Sequence, residues 1–88
     1  MKNEMTLTFS AVSDNEAFAR NAVAAFCVGL DPTIDQLNDI KTAVSEAVTN
    51  SIVHAYPNGA GDKFVTVSTT IEDNTVHIVV SDEGVGID

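Results

Sequence analysis

Among its 88 residues the sequence has one cysteine, two prolines, no tryptophan and only four lysines and arginines. Each scarcity excludes something. A lone Cys27 cannot close an intramolecular disulfide, so burial and hydrogen bonding must hold the fold, and a reducing, cytoplasmic setting is expected. Against the four bases stand thirteen acids, a formal charge of −9, which repels nucleic-acid phosphate and anionic membranes and argues against both as partners. A basic partner surface suits this chain better. No apolar run approaches the roughly 20 residues of a membrane-spanning helix, and the opening MKNEMTLTFS lacks the apolar centre of a signal peptide. The length allows one small domain, able to bury little more than about 60% of its unfolded surface.

What the sequence does have is a long uninterrupted helix pattern. From Thr33 to Tyr56 there is no Gly or Pro, Pro32 sits just ahead, and Leu37, Ile40, Val44, Val48, Ile52 and Ala55 recur at three- and four-residue spacing. That spacing makes one apolar stripe. Before it, residues 5–12 alternate Met5, Leu7, Phe9 and Ala11 against Thr6, Thr8 and Ser10, the period of a half-buried strand. Ser13 and Glu16 have capping-box spacing and open a helix over about 14–29, whose apolar side is Phe18, Ala22, Val23, Phe26, Cys27 and Leu30. Cys27 reads as a small core residue, and Gly29 is placed for a left-handed helix end. After the turn-forming PNGAGD the period changes to two. Val65, Val67, Thr69 and Ile71 share a face, Asp73 and Asn74 make a turn, and Val76, Ile78 and Val80 share the face of a second hairpin strand.

Three sets of residues carry chemistry. Glu46 and Asn50, one turn apart, fall on the side of the long helix away from the stripe, where paired oxygens suit a hard cation or a hydroxyl that must lose a proton. Such a pair is also common on a solvated helix face. Asp82 continues the alternation of Val80 onto the apolar side of the last strand, where a carboxylate needs a hydrogen-bond partner. Gly84 and Gly86, in Asp82-Glu83-Gly84-Val85-Gly86, fit either a tight turn or the close approach of a ligand to backbone. His54, at the edge of the stripe, reads as structural, and His77, on the polar side of its strand, as exposed.

The stretch Ser45–Tyr56, SEAVTNSIVHAY, together with Val80–Ile87, VSDEGVGI, resembles the GHKL ATPase superfamily, and within it the small serine kinases that act as anti-sigma factors in sporulation. The opening residues resemble that group too, so the likeness covers essentially the whole chain. It implies an α/β two-layer sandwich of the GHKL, or Bergerat, type, with two main helices packed on a mixed sheet. Carried over residue by residue, it makes Glu46 the catalytic carboxylate, Asn50 the Mg2+ ligand at the nucleotide phosphates, Asp82 the acceptor of the adenine amino group, and Gly84 and Gly86 the glycines that let backbone approach the base. ATP or ADP with Mg2+ is then the cofactor.

The implied function is that of an anti-sigma factor and serine/threonine kinase, binding a sporulation sigma factor and phosphorylating an anti-anti-sigma protein. The alternative is a non-catalytic module that sequesters a sigma factor, with nucleotide structural or unbound. Arg20, the only arginine, lies on the polar part of the first helix and is the candidate contact to an acidic patch on a partner. A homodimer through the first strand is expected. The family's second glycine box, phosphate lid and last strands are expected beyond Asp88, so residues 1–88 read as a single incomplete domain with weak or no turnover and an uncovered apolar face.

Overall fold

The computed structural model describes residues 2–55 and 63–82, excluding the side chains of residues 54 and 55. The expected loop at 57–62, the environment of His54, and Gly84 and Gly86 therefore lie outside the described residues. In order, the chain forms β1 (Lys2–Ser10), α1 (Asn15–Cys27), a short 3-10 turn (Val28–Leu30), α2 (Ile34–Ala55), β2 (Phe64–Glu72) and β3 (Thr75–Asp82). Both helices pack on one face of a sheet ordered β1-β2-β3, giving the two-layer α/β sandwich expected. All three described strands are antiparallel, so the parallel pairing of a mixed sheet does not occur among them.

Register explains the layers. The rows Met5-Thr69-Ile78 and Leu7-Val67-Val80 run across the inner face, and Thr6-Ser68-Val79 and Thr8-Thr66-Ser81 across the outer one. Val65, Val67 and Thr69 are fully buried, and α1 and α2 cover them with Ala19, Val23, Cys27, Val44 and Val48. The outer face keeps a strand-forming set of hydroxyls, two of which, Thr8 Oγ1 and Thr66 Oγ1, lie 3.2 Å apart. β1 begins three residues earlier than its alternation indicates, because Lys2 still pairs with Glu72 at the far end of β2. The strand ends at Ser10, where the N–H of Val12 turns back to the Ser10 carbonyl at 2.8 Å.

Several local expectations are corrected. Ser13 and Glu16 do not form a capping box: Asp14 occupies the N-cap of α1 without a side-chain bond, and the carboxylate of Glu16 turns to Arg20 and Ser45 instead. The reciprocal box is at α2, where Gln36 N–H donates to Thr33 Oγ1 at 3.0 Å and Thr33 N–H donates to Gln36 Oε1 at 2.8 Å. Gly29 is not the left-handed residue. The 3-10 turn carries the chain past it, and Asp31 takes φ 55°, a conformation its short polar side chain tolerates. Phe18 is 54% exposed, because Ala19 and Val23 occupy the positions facing the sheet while its ring meets Phe9 edge-on at 6.4 Å.

The hairpin and Cys27 follow expectation. Asp73 and Asn74, with φ of 54° and 63°, form the two-residue turn between Glu72 and Thr75. Cys27 is buried and desolvation raises its thiol pKa, which keeps the sulfur protonated and unreactive. His77 is exposed.

Candidate functional site

α2 is the element that positions the site. Its stripe turns Val44 and Val48 into the core, and the helical turn of about 100° per residue leaves Glu46, Thr49 and Asn50 on the open side. Glu46 and Asn50 are exposed and line one shallow depression together with Ser45 and Thr49. A second depression on the α1 side is lined by Arg20, Asn38, Lys41, Thr42, Ser45 and Glu46. Ser45 and Glu46 thus form the ridge between the two. In a chain with four lysines and arginines, two of them stand at the second depression. Glu46 in the same lining and Glu16, paired to Arg20, balance those two charges, so the spot is locally neutral in an acidic chain.

Glu16 and Ser45 join the two helices behind this ridge. Ser45 Oγ donates to Glu16 Oε2 at 2.6 Å, and Arg20 Nη1 donates to the same oxygen at 2.5 Å. Glu16 and Arg20 are an i,i+4 pair on α1, so their contact follows from helix geometry. The Ser45 hydrogen bond, and after it the Arg20 guanidinium, hold the Glu16 carboxyl below its ordinary pKa. The guanidinium of Arg20 is therefore fixed at one nitrogen by its own chain, with its other donors uncommitted in that pair.

Asp82 does not occupy the expected environment. It lies on the inner-face row with Phe9 and Val65, as the alternation requires, yet it is exposed at the strand end. Water can hydrate the carboxylate there, which removes the need for a dedicated protein partner. Asp82 is not among the residues lining the depression of Glu46 and Asn50. Ile40 of α2 and Val76 of β3 line a common hollow near the starts of their elements. Gly84 and Gly86 lie outside the described residues.

The donor set can be tested against a magnesium nucleotide. No group of three or more His, Cys, Asp and Glu among the described residues is arranged to hold a metal ion. Mg2+ does not need one, since it is usually held by one or two protein oxygens plus phosphate and water. The Asn50 carboxamide, with Glu46 and Thr49 beside it in one open depression, fits that mode. Sequence reasoning missed Ser45 and Lys41, and it gave Glu16 to a cap. The i,i+4 spacing of Glu16 and Arg20 was the legible signal; the Ser45 contact, 29 residues away, had none.

No described helix is long and apolar enough to cross a membrane. Comparison with known proteins finds that the histidine kinase-like ATPase domain model matches residues 9–88. The chain is similar to the anti-sigma F factor of Bacillus licheniformis, 58% identical over 87 residues that cover 99% of the chain and 59% of that protein. It is likewise 61% identical over 90 residues to the anti-sigma F factor of Geobacillus thermodenitrificans, and 58% identical over 87 to that of Oceanobacillus iheyensis, with the same coverage. The chain thus spans under two thirds of the length of these curated relatives. With the family model running through both helices, β2 and β3, the resemblance carried by the two motifs holds, and the chain belongs to the histidine kinase-like ATPase family.

Proposed function

We propose that this chain is part of an anti-sigma factor that binds Mg-ATP and phosphorylates a serine or threonine of an anti-anti-sigma protein, while holding a sporulation sigma factor in the cytoplasm. The observation that carries the proposal is the placement of Glu46 and Asn50 side by side in one depression on the open face of α2, in a chain of an ATPase family. The printed function of the relatives, anti-sigma F factor, supports the partner class.

In this reading the Asn50 carboxamide oxygen would hold Mg2+, and the ion would neutralise phosphate charge that an acidic protein otherwise repels. Asp82 accepts the adenine amino hydrogen, and Gly84 and Gly86 let backbone approach the base. Glu46, on the ridge between the two depressions, takes the proton of the attacking hydroxyl as its oxygen bonds to the γ-phosphorus and the bridge to the β-phosphate breaks. Self-association through the β1 edge completes the picture, since β1 ends the described sheet with its outer ladder groups open.

The test, made on the whole protein, is calorimetric binding of Mg-ADP, with phosphoryl transfer followed separately. Asn50→Ala and Asp82→Asn are expected to abolish or strongly weaken binding. Glu46→Gln is expected to bind Mg-ADP normally yet lose roughly 10²- to 10⁴-fold in transfer rate. Full transfer by Glu46→Gln, or Mg-ADP affinity indifferent to Asn50 and Asp82, would overturn it.

The second reading, a module that only sequesters a sigma factor, draws on Arg20 and Lys41 facing one depression. Capture of the sigma factor that ignores nucleotide and is lost in Arg20→Glu favours it.

A further inference from the structure

Arg20 lines the α1-side depression, but a long side chain on a helix surface does not hold one position unaided. Its own helix supplies Glu16, one turn back. Glu16 in turn would be free to swing were it not fixed from α2, where the Ser45 hydroxyl donates to the very oxygen that accepts from Arg20. Ser45 is adjacent in sequence to Glu46 and lines both depressions. The placement of the guanidinium is therefore referred to the helix that carries Glu46 and Asn50.

From this geometry we infer that Ser45 is a positioning residue for partner binding: through Glu16 it presets the Arg20 guanidinium beside Lys41 to receive a carboxylate of the sigma factor. The inference rests on the proposed sigma-factor binding and goes beyond it by assigning roles to Ser45 and Glu16. One nitrogen of the guanidinium is used internally, and its remaining donors face the partner. Preorganisation of this kind raises affinity by removing an ordering cost at the moment of binding. Ser45 touches no partner atom in this scheme. Its effect passes entirely through Arg20.

A double-mutant cycle with the sigma F factor of Bacillus licheniformis as probe, measured by calorimetry in the presence of Mg-ADP, tests it. Ser45→Ala is expected to weaken binding about five- to tenfold in the unaltered background and by less than about twofold when Arg20 is already alanine. Ser45→Thr, which keeps the hydroxyl, is expected to restore most of the affinity. An equal loss from Ser45→Ala in both backgrounds would mean that Ser45 acts on the fold at large and would overturn the inference while leaving sigma-factor binding intact. Absence of binding by the unaltered chain would overturn the sigma-factor reading and this inference together.

Discussion

Ser45 Oγ lies 2.6 Å from Glu16 Oε2, so a side chain of α2 reaches across to the first turn of α1. Stability should carry the mark of this bond in acid. The native carboxyl of Glu16 is held below its ordinary pKa, chiefly by Ser45 and then by Arg20. A depressed native pKa contributes stability that is fully present above the unfolded glutamate value of about 4.3 and is lost as pH falls through the lower native value. Glu16→Gln removes that contribution. Urea midpoints measured from about pH 6 to pH 3 should therefore fall less steeply in Glu16→Gln than in the parent, and parallel slopes would show that the bond carries no pH dependence.

Thr69 sits at 0% exposure on the inner face of β2, and its Oγ1 has no hydrogen-bond partner among the described residues. A buried hydroxyl left unpaired is destabilising by about 1–3 kcal/mol. Thr69→Val has nearly the same shape and keeps the branched Cβ that β2 favours. Denaturant unfolding is expected to show a gain of about 1 kcal/mol; a loss would mean that the hydroxyl has a use in the fold.

Val48 and Val53 lie five residues apart on α2 in opposite environments, one fully buried between α1 and the sheet, the other 56% exposed. Val48→Ala should destabilise by about 2 kcal/mol through lost burial and the space left behind. Val53→Ala should stay within about 0.5 kcal/mol of the parent. Equal effects in thermal unfolding would contradict the core described above.

Thr33 and Gln36 exchange hydrogen bonds at the entrance to α2. Thr33→Ala is expected to cost about 1 kcal/mol, and Thr33→Ser to retain most of it, because the accepting oxygen is what satisfies the free N–H of Gln36. Circular dichroism during urea titration reports both.

How much of this was legible beforehand depended on whether one period governed the residues. The stripe Leu37 to Ile52, the alternation Met5 to Ala11 and the turn at Asp73 and Asn74 obey a single local rule each, and their elements form, though the first strand runs Lys2–Ser10 rather than 5–12. Phe18, assigned to the apolar side of the first helix, stands exposed because Ala19 and Val23 take the positions facing the sheet. Glu16 failed because capping and cross-helix pairing compete for one carboxylate, and the winner, Ser45, lies 29 residues away. At the candidate site, the adjacency of Glu46 and Asn50 came from helix spacing alone. The exposure of Asp82 did not, since alternation gives a residue its face but not how far cover extends along the strand.

The hydroxyl rows on the outer side of the sheet have a bearing on colloidal behaviour. Beside the exposed Val79 and the charged ends of the rows at Lys2, Glu4 and Glu72, the hydroxyls of Thr6, Thr8, Thr66, Ser68, Thr70 and Ser81 hydrate that surface without titrating. As acid neutralises the carboxylates and mutual repulsion between molecules fades, these rows keep their water, so the broad back of the sheet stays wettable at the very pH where an acidic chain is otherwise most prone to clump.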